Sequence, residues 1–264
     1  MPHLEVNGRR IFYTRRGAGP PLLLIHGMGG HHLSWGEWFL GPLARDFDLV
    51  AFDHRGVGRS DRADEPFAIA DLALDVAGLL TALDWPAAHV FGVAAGGMIA
   101  QELALRQPDL VRTLTIGAST SGGAAATATA HRMMDAIATH DLDHGLRTAF
   151  EANLSPRFTA DPANFDTYRR LTLAERAPVP VVQTQYRAAL AHDTASRLPT
   201  VTAPTLVLHG TADALLSPAN GKRIARLIPG ARLELLDGAG HLFWWEQPQR
   251  TIDLLRQHTL DGPA

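Results

Sequence analysis

Short, nearly continuous apolar runs alternate with longer amphipathic stretches through the first half of the chain. Residues 11–14 form a short apolar run, and residues 21–25 (PLLLI) and 49–52 (LVAF) are apolar at almost every position, the pattern of strands buried on both faces of a parallel sheet. Residues 35–45 and 69–83 read as helices; in the second, Leu72, Val76, Leu79, Leu80 and Leu83 make a stripe at helical spacing. Residues 89–107 change period within one stretch. Val90, Phe91 and Val93 read as strand, small residues (Gly92, Ala94, Gly96, Gly97) gather at its end, and Met98, Ile99, Leu103 and Leu105 then fall on or near one helical face. That is strand, sharp turn, helix. With residues 111–116 as a further strand, the alternation predicts a doubly wound, mostly parallel α/β sheet.

The rhythm breaks between residues 119 and 200. No strand-like run occurs there, and residues 131–138, 142–152 and 183–191 have helical periodicity, separated by Pro156, Pro162, Pro178 and Pro180. The expected organisation is an α/β core made of residues 1–118 and 201–264, with an all-helical cap inserted at 119–200. Its opening, residues 119–130 (STSGGAAATATA), is small and flexible enough for a hinge or mobile loop. Alternation resumes with a strand at 205–209, a helix at 218–228, a strand at 232–236 and a last helix at 247–258.

Composition narrows the chemistry. A chain of 264 residues, 46% hydrophobic, can bury a large core. Its formal net charge of -3 leaves no electrostatic footprint for nucleic acid or an anionic membrane, and no apolar run is long enough to span a bilayer. With no cysteine there is no disulfide, thiolate nucleophile or cysteine metal site; adjacent His31 and His32 lack metal-ligand spacing and read as pocket-rim or surface residues. The first residues (MPHLEVNGRR) lack the apolar segment of a signal peptide, so a cytoplasmic location is expected. The expected partner is a small, mainly apolar, uncharged molecule, without metal or cofactor. Oligomeric state is not legible.

The turn at 92–96 has the spacing G-x-S-x-G, the nucleophile elbow that presents a serine hydroxyl at the top of a parallel sheet. Here the serine position is Ala94. Further motifs follow strands in register: His26-Gly27-Met28-Gly29-Gly30 after residues 21–25, Asp53-His54-Arg55-Gly56-Val57-Gly58-Arg59-Ser60-Asp61, Gly210-Thr211-Ala212-Asp213, and Gly238-Ala239-Gly240-His241. On these motifs the chain resembles the α/β-hydrolase superfamily over essentially its whole length. The resemblance implies a triad in the order nucleophile, acid, histidine, with Ala94 in the nucleophile position, Asp213 as acid and His241 as base. The alternative place for the acid holds Gly117-Ala118-Ser119-Thr120 and offers no carboxylate. Backbone N–H groups of Met28 and Ala95 would form the oxyanion hole, which no side-chain change removes. Asp53, Arg55 and Ser60 read as a polar network fixing a turn. Gly27, Trp35, Met133, Tyr186, Leu215, Leu242 and Phe243 are the candidate substrate-binding residues, with Trp38, Met134 and Phe150 as further candidates for an apolar pocket wall.

Two functions fit Ala94. In one, the chain is a serine hydrolase for an ester or lactone, working through a Ser-His-Asp triad, with alanine introduced in place of the nucleophile. In the other, alanine is native and the His241–Asp213 pair serves as a base dyad in a lyase, decarboxylase or cofactor-free oxygenase, or the pocket only binds a ligand. Joint retention of acid, histidine and oxyanion loop favours the first.

Overall fold

The computed structural model describes residues 2–122, 128–139 and 141–260. Eight strands form one sheet: β1 (His3–Val6), β2 (Arg9–Arg16), β3 (Pro21–Ile25), β4 (Asp48–Phe52), β5 (Ala88–Val93), β6 (Val111–Gly117), β7 (Thr205–Gly210) and β8 (Arg232–Leu236). Their order is β1-β2-β4-β3-β5-β6-β7-β8. β1 and β2 run antiparallel to their neighbours, and every pair from β4 to β8 is parallel. The sheet is therefore doubly wound and mostly parallel, as the alternation predicts. β1 was not legible as a run of its own. It forms a hairpin with β2, closed by Asn7 and Gly8 at φ 52 and 76 with Val6 opposite Arg9, the two-residue turn that Asn-Gly favours.

Alternation along each strand feeds two cores. In β3, Leu22 and Leu24 face one side with Phe39, Leu43 and Leu255, while Leu23 and Ile25 face the other with Val76, Leu79 and Ile99. Burying such a side chain contributes about 1.5 to 3 kcal/mol. The first core takes α1 (Glu37–Leu43) and α11 (Pro248–Thr259); the second takes α2 (Ile69–Ala82), α3 (Ala95–Arg106) and α9 (Ala219–Leu227). The expected helix at 35–45 is in two pieces. A 3-10 turn at His32–Trp35 ends on Gly36 at φ 78, and α1 starts after it.

Between β6 and β7 the chain forms α4 (Ala128–Ala138), α5 (Leu142–Asn153), α6 (Pro156–Thr159), α7 (Pro162–Ala174) and α8 (Val179–Leu190). Pro156, Pro162 and Pro180, which read as separators, sit in the first turns of α6, α7 and α8, where a missing N–H costs nothing. Much of the hinge expected at 119–130 lies outside the described residues. Its start is packed: Ser119, Thr120 and Ser121 are buried, and Gly122 bridges to Asp193.

Candidate active site

β5 ends at Val93 and α3 begins at Ala95, so Ala94 alone makes the turn, at φ 53 and ψ -119. A residue with a side chain held there carries strain of about 1 to 3 kcal/mol, which the surroundings must impose. They do so through Ala94 N–H, which donates to Gly117 O (2.9 Å), and Ala94 O, which accepts from Ser119 Oγ (2.7 Å) and Gly97 N (3.0 Å). The approach of α3 to β3 needs glycine at 96, since a Cβ there would stand 2.0 Å from Ile25 O. Across the turn, a Cβ on Gly27 would lie 2.9 Å from that of Ala94. The loop after β3 therefore passes directly over the elbow.

That loop is held at both ends. His54 Nε2 donates to His26 O (3.0 Å), and Gly29 N–H donates to Gln185 Oε1 of α8 (2.8 Å). Gly30 N closes a turn on Gly27 O (3.1 Å), with Gly29 at φ 69. Met28 and Ala95 border the same cavity from the loop and from the first residue of α3, where backbone N–H groups and the helix dipole favour negative charge.

Asp213 follows β7 and is buried. Its Oδ1 accepts from Leu215 N and Leu216 N (2.9 Å each), and its Oδ2 faces His241 Nδ1 (2.8 Å) and His209 Nε2 (3.1 Å). His209 Nε2 also contacts Leu216 O at 2.9 Å, and a carbonyl only accepts, so this nitrogen carries a proton. Burial alone would push the Asp213 carboxyl up. The positive charge that His241 carries when protonated and the hydrogen bonds from His209 and His241 outweigh it and hold the group well below the usual carboxylate range. With Nδ1–H of His241 donating to this carboxylate, its Nε2 keeps a bare lone pair, and the ring borders the cavity. Behind it, Glu246 Oε1 accepts from Gly240 N (2.8 Å) and Ser155 N (2.9 Å), fixing the glycine approach to His241 against the start of α6.

A cavity of about 260 Å³ opens between the ends of β3 and β5 and the helices α4, α5, α7 and α8. Ala94, Ala95, Met28, His241 and five of the proposed wall residues, Gly27, Met133, Tyr186, Leu215 and Leu242, border it. Trp35 and Phe243 do not: both are fully buried. The 3-10 turn drives Trp35 onto Phe39, Phe91 and Trp244, while α10 (Phe243–Glu246) turns Phe243 to Phe91 and leaves Trp244 and Trp245 for the wall. Trp38, Met134 and Phe150 also pack away from it. His31 and His32 are buried rather than at a rim. His31 borders the cavity with Nε2 on Leu171 O (3.1 Å), and His32 Nδ1 pairs with Asp53 (2.9 Å). Asp53 also takes Arg59 N–H (3.0 Å), Ser60 Oγ donates to its carbonyl (2.6 Å), and Arg55 forks onto Asp75 (2.6 Å twice). These contacts account for the 53–61 motif as a turn lock. Among the described residues no cluster of His, Cys, Asp or Glu could hold a metal, and no helix is long and apolar enough to cross a membrane.

A family model described as the alpha/beta hydrolase fold matches residues 20–248. The chain belongs to this family. Over 250 residues it is 33% identical to a protein of Azorhizobium caulinodans named "Putative carbamate hydrolase RutD", covering 92% of each chain. Among solved structures it is similar to Est816, described as an N-acyl homoserine lactone degrading enzyme, with TM-score 0.83, 28% identity and 98% and 100% of the two chains covered. It is similar also to the esterase RhEst1 of Rhodococcus sp. ECU1013, with TM-score 0.83, 27% identity and 97% and 96% covered. This α/β hydrolase chain thus has hydrolases as its relatives. His209, Glu246 and Gln185, which buttress its acid, histidine loop and glycine loop, went unread in the sequence. Only His209 had a local signal, four residues before Asp213 at the end of an apolar strand.

Proposed function

We propose that the chain is arranged to hydrolyse an uncharged, mainly apolar carboxylic ester or lactone held between the sheet and a cap made of α4 to α8, and that residue 94 occupies the nucleophile's place. With alanine there, the substrate is bound and not cleaved. The observation that carries this reading is the backbone of Ala94 itself, φ 53 and ψ -119 on the rim of the cavity that His241 also borders. An alanine gains nothing from that strained geometry, whereas a serine gains exposure to a base.

The chemistry follows from the groups present. A serine hydroxyl at 94 attacks the carbonyl carbon while His241 Nε2 takes its proton, and the Met28 and Ala95 N–H groups bind the oxyanion that forms. His241 then gives the proton to the leaving oxygen, leaving an acyl ester on residue 94. Water attacks that ester with the same base, releasing the acid and the free hydroxyl. Asp213, kept ionised, orients the imidazole and stabilises its cation throughout. The Ala94→Ser protein is expected to hydrolyse p-nitrophenyl butanoate on the order of a thousandfold faster than the Ala94 protein, because nucleophile and base act as a unit. A folded Ala94→Ser protein with no gain contradicts the reading.

One observation favours a second reading. The methyl of Ala94 leaves the His241 imidazole on the cavity wall with no nucleophile beside it, free to act on a substrate proton without covalent catalysis. In that case His241→Ala abolishes turnover of the substrate by the Ala94 protein, while a module that only binds keeps its affinity in the same variant.

A further inference from the structure

Three polar side chains stand in the otherwise apolar wall formed by α5 and α7: Asn153, Tyr168 and Thr172. Asn153 ends α5, and its backbone carbonyl accepts Leu242 N–H (2.9 Å), which places it beside the residue that follows His241. Its side-chain amide has a defined orientation, because one atom lies 2.6 Å from Ala149 O, a pure acceptor, and must therefore be Nδ2. The same nitrogen faces Met133 Sδ (3.7 Å). Both N–H groups are thus engaged inside the protein. Oδ1 has no partner among the described residues.

Tyr168 and Thr172 lie one turn apart on α7, and both border the cavity. Each hydroxyl carries one O–H proton that it can donate. Burial pushes the Tyr168 hydroxyl up to about 12, so it stays protonated and the pair remains a donor. The wall therefore presents an acceptor, Asn153 Oδ1, and hydroxyl donors on Tyr168 and Thr172. A structural role as the end of α5 explains Nδ2 and leaves Oδ1 unexplained.

We propose that Asn153, Tyr168 and Thr172 form a polar subsite that selects a substrate bearing a neutral donor–acceptor group, a secondary amide or a hydroxyl, on the part lodged beside His241. An amide satisfies both sides at once: its carbonyl accepts the hydroxyl proton and its N–H donates to Asn153 Oδ1. A plain alkyl chain leaves both buried polar groups unpaired, and a carboxylate sets its charge against Oδ1. The inference rests on reading this cavity as the site that holds the acyl compound, and it adds what that compound carries.

The test uses the Ala94 protein and two probes without an ester, so that it stands apart from the hydrolysis result. N-pentylacetamide and 2-octanone differ by NH against CH2, and Trp244 and Trp245 in the wall report binding by fluorescence. The amide-to-ketone affinity ratio is expected to fall about tenfold or more in Asn153→Leu, and to persist in Asn153→Asp, which keeps an oxygen acceptor. The double variant Tyr168→Phe, Thr172→Val is expected to weaken both probes with the ratio retained. Should Asn153→Leu fail to fold by circular dichroism, the Asn153→Asp protein and the double variant still decide the matter. A ratio unchanged in Asn153→Leu, a ratio lost in Asn153→Asp, a double variant that binds both probes unchanged, or absence of binding by either probe overturns the subsite. None of these outcomes bears on whether Ala94→Ser creates hydrolysis.

Discussion

At the scale of single residues, the acid–histidine pair depends on a carboxylate that is kept charged where burial opposes charge. Asp213 manages this with four hydrogen bonds, two from Leu215 and Leu216 N–H and two from His209 and His241. Asn in its place would keep the shape and lose the charge, and its N–H could face His241 Nδ1 and favour the wrong tautomer. In the Ala94→Ser protein, Asp213→Asn is therefore expected to remove most of the hydrolytic gain, a loss on the order of a thousandfold in kcat measured on the same p-nitrophenyl ester. A loss below tenfold would mean that the carboxylate is not what orients the base. The placement of Ala94, Asp213 and His241 in small-residue turns at strand ends was legible, because few sequences fit such turns. His209 and Glu246 were not, since their partners are set by the fold. Trp35 and Phe243 misled for a related reason: closeness in sequence to a motif does not fix which face a side chain takes.

At the scale of elements, strands and long helices were read from period alone, and β8 at Arg232–Leu236 falls on the residues expected. β1 was missed because four residues of mixed polarity carry little periodicity; the Asn7-Gly8 turn was its only signal. What no element reveals in isolation is coupling. Gln185 of α8 takes the Gly29 N–H, while Val182 and Tyr186 of the same helix border the cavity, so one helix both lines the cavity and holds the loop after β3. Gln185→Leu removes the acceptor and leaves a buried N–H unpaired. In the Ala94→Ser protein it is expected to lower kcat about tenfold or more, with KM changed much less, if the Met28 N–H is the oxyanion donor proposed above, since such a donor matters most in the transition state. Equal effects on kcat and on binding of the uncleaved ester would instead assign Gln185 to substrate affinity alone.

At the scale of the whole molecule, the sheet separates two cores, and several histidines are buried at their margins. Burial pushes His26 down to about 3 and His89 and His192 down to about 4, so all three are neutral in the folded chain at pH 7. In the unfolded chain each returns to its ordinary value of 6.5, and below that pH the unfolded state binds protons that the folded state refuses. Stability therefore falls as pH drops from 6.5 towards 4, with a slope of up to about 1.4 kcal/mol per pH unit for each histidine. Asp213 acts in a lower window. Its contribution is complete above its ordinary 3.8 and is lost as pH falls through its depressed folded value. The urea midpoint is expected to be lower at pH 5 than at pH 7; an unchanged midpoint would mean that these imidazoles gain protons without unfolding. None of this was legible as sequence, because 13 histidines look alike until burial distinguishes them.

If the surroundings of residue 94 are arranged for a nucleophile, as proposed, the mass of the protein during turnover will show it. The Ala94→Ser protein is mixed with excess p-nitrophenyl butanoate, quenched in acid within the first turnover and digested. A butanoyl adduct is expected on the peptide that contains residue 94, appearing with the burst of p-nitrophenol and absent from the Ala94 protein treated alike. Rapid hydrolysis with no adduct, or an adduct on any other residue, would contradict the proposal.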